Sequence, residues 1–289
     1  MGKLKHSIRT WVQIASTALS NGYAAGFFKG TIYKGDSKLL CVPGLNCYSC
    51  PGALGSCPIG SLQAVIGSRE FHMSYYIVGF LLLFGALLGR FVCGWLCPFG
   101  LVQDLLWKIP VKWKWKKLPG ERILSCLKYV ILGGFVILLP LTVLDVVGQG
   151  QPWFCKWICP SGTLFAGVPL IAVNPSLQSA VGFLFQWKAA ILVVLILLSL
   201  VVYRPFCRYL CPLGAIYGWM NPVALYRYEI IQTRCTGCSA CQKACPMELP
   251  VYKLPNTSQC IRCGVCRQTC PHGAIQTVNP LKRKNSSKL

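Results

Sequence analysis

The sequence has few acidic residues, and this shortage narrows the class of protein. Only 7 of its 289 residues are Asp or Glu, against 29 Lys and Arg, and charged residues make up 12 %. Soluble domains carry about 25 % charged residues, so this composition, together with 54 % hydrophobic residues, indicates a membrane protein. The net charge of +22 would also suit a nucleic-acid-binding protein. The basic residues flank apolar segments instead of forming a soluble basic face, so no nucleic-acid partner is expected.

Histidine is equally scarce, and its scarcity argues against haem cofactors. The sequence has three histidines, none of them in an apolar segment, and it has no Cys-x-x-Cys-His motif. Haem b and haem c are therefore not expected. No glycine-rich phosphate-binding motif stands between a strand and a helix, so the sequence gives no indication of NAD, flavin or ATP sites.

Cysteine, in contrast, is abundant, and its spacing in the last third of the chain is regular. Residues 235–270 contain two copies of C-x-x-C-x-x-C-x-x-x-C-P, the pattern of bacterial two-cluster ferredoxins. In that pattern the fourth cysteine binds the other cluster. The predicted ligands of the two 4Fe–4S clusters are Cys235, Cys238, Cys241 and Cys270 for one, and Cys260, Cys263, Cys266 and Cys245 for the other. Zinc is the alternative, but its sites do not use two cysteine triplets that are each closed by Cys-Pro. Residues 270–275 also match the turn into the strand that closes a ferredoxin domain.

Four apolar segments precede this module, at residues 11–28, 73–92, 124–147 and about 178–203. Each is close to the ~20 residues that cross a bilayer, so four transmembrane helices are predicted. The first segment is diluted by polar residues, and a signal peptide cleaved near Ala24 is the alternative. Asp145 falls inside the third segment. A quinone or proton-transfer role and an interfacial position are both open for it.

The basic residues predict the orientation of these helices. Segments 1–10, 90–124 and 204–289 contain 3, 7 and 12 Lys and Arg, whereas segments 29–72 and 148–188 contain 4 and 2. By the positive-inside rule both termini are cytoplasmic, and segments 29–72 and 148–188 lie outside. The anionic inner leaflet is then the membrane-lipid partner of the basic side.

A second cysteine pattern follows the apolar segments. Cys-Pro-x-Gly occurs four times, and three of the copies are preceded by a cysteine four positions earlier, as in Cys93-Gly-Trp-Leu-Cys97-Pro-Phe-Gly. A repeat that alternates in membrane sidedness indicates an inverted duplication. Proline at the first helical position predicts a short half-helix after each copy, with its N-terminal N–H groups directed at an anionic cluster. The alternative is that these cysteines are buried small hydrophobic residues.

The predicted membrane topology divides these cysteines into an inner and an outer set. Cys93, Cys97, Cys207 and Cys211 form an inner set of four, enough for one further 4Fe–4S cluster. The outer side has six: Cys41, Cys47, Cys50, Cys57, Cys155 and Cys159. The preferred outer set is Cys47 or Cys50 with Cys57, Cys155 and Cys159, and disulfides are the alternative there. Cys126 is expected to be only packed.

These features resemble the NapH-like membrane polyferredoxins, which are related to the NosR and CcoG proteins. The resemblance rests on Cys-x-x-x-Cys-Pro after apolar segments and on Cys-Pro-Met-Glu-Leu-Pro-Val at 245–251, and it covers residues 70–276. It implies four transmembrane helices, 4Fe–4S clusters, and electron exchange with quinol or ferredoxin. The two outer cysteine motifs go beyond the NapH pattern.

The expected fold is a mainly α membrane protein with three parts. Residues 1–222 form a four-helix transmembrane domain with inverted repeats and half-helices, 223–278 a cytoplasmic α+β two-cluster ferredoxin domain, and 279–289 a disordered basic tail. The expected function is electron relay in a prokaryotic inner membrane, between a cytoplasmic ferredoxin or quinol and an acceptor at or across the membrane. The chain would be a subunit of an oxidoreductase complex, with a redox protein as partner and quinone as a possible cofactor. The alternatives are a maturation factor that reduces a metal centre and a redox-sensing regulator.

Overall fold

A computed structural model describes residues 2–68, 74–115, 117–145, 148–179 and 181–278. The protein is mainly helical, with one small sheet, and the predicted basic tail at 279–289 lies outside the described residues. The helices cover Gly2–Ser20, Ala24–Lys29, Pro58–Gly67, Ser74–Leu88, Phe91–Trp95, Pro98–Lys108, Glu121–Thr142, Trp153–Trp157, Pro160–Val173, Pro175–Ser179, Phe183–Val201, Pro205–Tyr209, Pro212–Met220, Ala240–Ala244 and Val265–Thr269, with a 3-10 turn at Asp36–Leu39.

Two of these helices are long and apolar enough to cross a membrane. They cover Glu121–Thr142 and Phe183–Val201, with 22 and 19 residues, and correspond to the third and fourth predicted spans. The third helix ends earlier than predicted, at Thr142. Asp145 therefore lies beyond it in an exposed turn, where its backbone N–H donates to Gln149 O.

The first two predicted spans have different bounds in the structure. No single helix covers residues 11–28, because the first helix ends at Ser20 and the next begins at Ala24. The side chains of Ser20 and Asn21 both donate to Thr17 O, and side-chain bonds of this kind compete with helix continuation. The second predicted span forms the 15-residue helix Ser74–Leu88, which is shorter than the ~20 residues of a full span.

The four predicted half-helices are present, and each begins at the proline that follows a cysteine. They cover Pro58–Gly67, Pro98–Lys108, Pro160–Val173 and Pro212–Met220. Proline is favoured there because a backbone N–H in the first turn of a helix has no partner within the helix, so proline loses nothing by lacking one. Its fixed φ angle is also already helical. The cysteines before these prolines therefore all occupy the N-cap position.

The ferredoxin-like module contains the one sheet of the described residues. Strand β1 (Arg227–Ile230) pairs antiparallel with strand β2 (Ile275–Val278), and Tyr228 lies opposite Thr277. Strand β2 is the strand predicted after residues 270–275. The side chain of Tyr228 packs in a small core with cysteines of both triplets.

Three contacts identify which chain segments share an end of the helical part. At one end, Trp115 N donates to Val201 O over 2.9 Å. Elsewhere, Gly150 N donates to Gly67 O over 2.8 Å, and the Asn174 side chain donates to Gly30 O over 3.1 Å. Each contact joins two segments that the distribution of Lys and Arg predicts to lie on the same side of the membrane.

Candidate iron–sulfur sites

The module has two small pockets, each lined by one of its predicted cysteine sets. One pocket is lined by Cys235, Cys238, Cys241 and Cys270. The other is lined by Cys245, Cys260, Cys263 and Cys266. Each pocket contains the cross-over cysteine that the ferredoxin spacing predicts. The geometry is therefore that of two four-cysteine sites side by side.

The inner set of the helical part is also brought together. Cys93, Cys97, Cys207 and Cys211 are each 3–4 % exposed. Cys93, Cys97 and Cys207 all lie within electrostatic range of Cys211. The four thiols thus face one buried region, supplied by two Cys-x-x-x-Cys-Pro motifs that are more than 100 residues apart in the chain.

Two buried arginines cross between these motifs in a reciprocal arrangement. Each stands three residues before the first cysteine of one motif and binds the backbone of the other. Arg90 donates to Cys207 O over 2.6 Å, and Arg204 donates to Cys93 O over 2.5 Å. Both arginines have an exposed fraction of 0 %. The sequence signal was the shared Arg-x-x-Cys spacing, which sequence reasoning missed.

A glutamine links the two motifs of each set. Gln103 donates to Cys207 Sγ over 3.1 Å and accepts the N–H of Phe206 over 3.2 Å. In the outer set, Gln63 donates to Cys155 Sγ over 3.3 Å and accepts the backbone N–H of the preceding residue, Phe154, over 3.0 Å. Both glutamines stand six residues after the cysteine of a Cys-Pro-x-Gly motif. This spacing was visible in the sequence but was not used.

The outer set contains Cys47 rather than Cys50. Cys47, Cys57 and Cys159 all lie within electrostatic range of Cys155, and Cys47 and Cys57 do so for Cys159 as well. Cys47 Sγ also lies 3.5 Å from the position of a Cβ on Gly162, in the half-helix after Cys159. Cys50 is buried beside Cys47.

The remaining cysteines of the helical part stand apart from these sets. Cys41 donates to Ser61 Oγ over 3.6 Å. Cys126 was predicted to be packed, but its position in the helix leaves it exposed. All 19 cysteines belong to the described residues, and none of them is joined in a disulfide there.

Each N-cap cysteine faces the backbone N–H of the glycine three residues later. Cys211 Sγ accepts from Gly214 N over 3.4 Å, and the corresponding glycines lie against Cys57, Cys97 and Cys159. A sulfur anion at the N-terminus of a helix is stabilised by such N–H groups. The donors predicted from the motif are therefore directed at the cysteine sulfurs.

The inner and outer sets approach each other closely through one loop segment. The backbone N–H of Leu45 faces the sulfur of Cys97, and the next N–H, of Asn46, faces the sulfur of Cys57. A Cβ on Gly44, the residue before Leu45, would lie 3.0 Å from Cys97 Cα, so this segment packs directly against the inner set. Both sets also belong to one continuous buried core.

The second cysteine set of the module faces the inner set. Trp95 Nε1 donates to Arg262 O over 3.1 Å, and Arg90 donates to Ser258 O over 2.8 Å. A Cβ on Gly94 would lie 2.3 Å from Ile261 O, so this glycine permits the close approach. These contacts place the module segment around Cys260 directly against the motif of Cys93.

The donor sets fit clusters better than single ions. Among the residues that the structure describes, no group of three His, Cys, Asp or Glu is placed to hold one metal ion. A 4Fe–4S cluster spreads its four thiolate ligands over the corners of a cube, so its ligands lie farther apart than those of one ion. Four all-cysteine sets, each with N–H donors at the sulfurs, suit that larger group.

The comparisons with known proteins agree with these sites. A family model described as a 4Fe-4S binding domain matches residues 70–117, 129–172 and 185–226, and one described as a 4Fe-4S dicluster domain matches 234–275. Each of the first three matches contains one Cys-x-x-x-Cys-Pro motif. No solved structure matches the chain.

Curated relatives are similar over most of the same region. An uncharacterized protein of Methanocaldococcus jannaschii is 29 % identical over 193 residues, which are 65 % of this chain and 63 % of that protein. The ferredoxin-type protein NapH of Haemophilus influenzae is 28 % identical over 63 % of this chain and 57 % of its own length. The putative electron transport protein YccM of Escherichia coli is 26 % identical over 62 % of this chain and 47 % of its own length. The chain thus covers less than two thirds of each of these relatives.

Proposed function

The chain belongs to the NapH-like ferredoxin-type 4Fe–4S proteins, and we propose that it is a membrane-bound electron-transfer subunit. It relays electrons between a cytoplasmic ferredoxin or quinol and an acceptor at or across a prokaryotic inner membrane. The names of NapH and YccM support a role in electron transport. The partner is a redox protein that supplies the substrate chemistry. The described residues form cysteine sets, and the sequence predicts no set of substrate-binding residues beside them.

The proposed topology is multi-pass, with both termini in the cytoplasm. The helices Glu121–Thr142 and Phe183–Val201 are long and apolar enough to cross the membrane fully. The shorter helix Ser74–Leu88 and the segment 11–28 would complete the passage with the half-helices. Irregular backbone inside a membrane is tolerated where protein covers it, and Leu45, in the loop between the two sets, is 2 % exposed.

Four cysteine sets hold the proposed 4Fe–4S clusters, which would accept and release single electrons. The module supplies two sets, with the ligands assigned above. The inner set is Cys93, Cys97, Cys207 and Cys211, and the outer set is Cys47, Cys57, Cys155 and Cys159. Cys41 and Cys50 do not belong to these sets.

The contact of one loop segment with both Cys97 and Cys57 is the observation that carries the proposal. Tunnelling falls steeply with distance, so sets at opposite headgroup layers would need a quinone or a partner subunit between them. Here the backbone N–H groups of Leu45 and Asn46 face the sulfurs of Cys97 and Cys57. Tyr217, which is buried and donates to Pro43 O over 3.1 Å, lies within electrostatic range of cysteines from both sets. This proximity supports direct transfer between the two sets.

Reconstitution in quinone-free liposomes tests this function. The protein is oriented with its module outside, dithionite-reduced ferredoxin is added outside, and ferricyanide is enclosed. Ferricyanide is expected to be reduced by the wild type and not by Cys159→Ser, while the module centres remain reducible in both. Cys126→Ser is the matched control and should transfer electrons normally. Equal transfer by the wild type and Cys159→Ser, or transfer only after quinone is added, would contradict the direct route.

A further inference from the structure

Lys128 is a buried lysine whose ammonium group has no hydrogen-bond partner among the described residues. It lies in the membrane-crossing helix Glu121–Thr142 and has an exposed fraction of 0 %. Its Nζ lies 5.1 Å from the ring centre of Tyr129 and has no hydrogen-bond partner among the described residues. An unpaired ammonium in an apolar interior is strongly disfavoured, so an anion bound beside this group would stabilise its charged form.

Within the part of the chain that the structure describes, Lys128 forms no ion pair with a carboxylate. Glu121, the acid of the same helix, pairs with Arg208. The charged groups within electrostatic range of Lys128 are the cation of Arg90 and the thiols of Cys211, Cys93 and Cys126. Two of these thiols belong to the inner set, so the ammonium lies at the edge of that site.

An inner cluster would supply the missing negative charge. Four cysteinate ligands around a doubly positive 4Fe–4S core leave about two net negative charges, and hydrogen bonds to the sulfurs and nearby charges set the reduction potential of such centres. An ammonium at this position balances that charge and can donate to its sulfur atoms. It favours the reduced form, which is more negative by one electron.

We propose that Lys128 is a positioning residue of the inner centre, whose ammonium provides the counter-charge and N–H donors and raises the reduction potential of that centre. The inference rests on the proposed function, because it requires a cluster in the inner set. It goes beyond that function by naming a residue outside every cysteine motif that sets a redox property of one site.

A second lysine provides a matched comparison on the outer side. Lys188 lies in the other membrane-crossing helix, Phe183–Val201, and donates to Cys155 O over 3.1 Å. Its Nζ also lies 3.8 Å from the position of a Cβ on Gly162. Each lysine therefore lies in a long apolar helix whose N-terminal end is on the same side as the cysteine set nearest to that lysine. Lys188 already uses one N–H for a carbonyl, whereas Lys128 has all its donors free for the site.

Redox titration of the purified holoprotein, followed by EPR, tests the proposal. Lys128→Met, Lys128→Arg and Lys188→Met are compared with the wild type, and iron is quantified in each. Lys128→Met is expected to keep its iron and to shift one midpoint potential to a more negative value. Lys128→Arg should retain most of the wild-type potential because it keeps the charge, and Lys188→Met should shift a different centre.

Two outcomes would overturn the proposal. One is an unchanged set of midpoint potentials in Lys128→Met at full iron content. The other is an equal loss of iron and of thermal stability in Lys128→Met and Lys128→Arg, which would show that the side chain only fills space. Loss of about four iron atoms in Lys128→Met alone would support a requirement for the charge. If the wild type itself contains only the two module clusters, the proposed function fails instead, which separates the two failures.

Discussion

The side-chain amide of Gln103 donates to the sulfur of Cys207 across 3.1 Å. Gln63 makes the same bond to Cys155 in the outer set. In both cases the glutamine comes from the half-helix of one motif and the cysteine from the other motif of the pair. This contact fixes how two distant chain segments combine into one four-cysteine site, and it occurs in both sets of the helical part.

Replacing Gln103 with Leu is expected to affect the inner centre selectively. The change removes an N–H donor to sulfur, which should lower the reduction potential of that centre. It also leaves the buried N–H of Phe206 unpaired, at a cost of about 1–3 kcal/mol in stability. EPR-monitored redox titration and thermal unfolding of the purified protein measure both effects. Gln232→Leu, at an exposed position, is the control, and potentials equal to the wild type would contradict a role for Gln103.

Exchange of single cysteines in the outer loop should distinguish Cys47 from Cys50. Cys47→Ser is expected to lower the iron content by about four atoms, because Cys47 lies with Cys155 and Cys159. Cys50→Ser should keep its iron, since Cys50 lies beside Cys47 and outside that set. Iron and acid-labile sulfide are measured after anaerobic purification. The reverse pattern would show that the loop binds through Cys50.

Arg204 is expected to be required for stability through its buried pair with Asp104. It donates to both carboxylate oxygens, and Arg9 also donates to one of them over 2.8 Å. Arg204→Met removes one partner of a buried ion pair, which typically costs about 3–5 kcal/mol. The double variant with Asp104→Leu should be less stable still, because it leaves the buried Arg9 without its carboxylate partner.

The matched control for Arg204 is Arg227, whose pair with Glu229 is partly exposed at 3.7 Å. Arg227→Met should change stability by less than about 1 kcal/mol. Thermal unfolding in detergent compares the variants. Equal effects of Arg204→Met and Arg227→Met would show that the buried pair contributes no more than a surface one.

The sequence predicted the parts of the site that follow from local chemistry. Proline after cysteine predicted the starts of the half-helices, since the rigid ring favours the first helical turn. The turn at residues 270–275 predicted a strand that closes the ferredoxin module, and the structure has β2 beginning at Ile275. Both features depend on neighbours within a few residues of each other.

Most of the features that sequence reasoning missed depend on contacts between distant segments, and one depends on local side-chain bonds. The loop at 41–57 has no hydrophobic periodicity, so the choice between Cys47 and Cys50 depended on where the half-helix after Cys159 lies. The break of the first helix after Ser20 depends on local side-chain bonds to Thr17 O, which hydropathy does not detect. The reciprocal arginines required knowledge of which motifs pair, and the charge pattern alone gave only their side of the membrane.

The iron content of the wild-type protein tests the central claim most directly. After anaerobic purification of the full chain, iron and acid-labile sulfide are quantified per protein, and Mössbauer spectroscopy identifies the cluster type. Four cysteine sets predict about 16 iron atoms per chain, all in 4Fe–4S clusters. A content of about eight or fewer would mean that only the module binds clusters, and would contradict the account of the membrane cysteines as ligands.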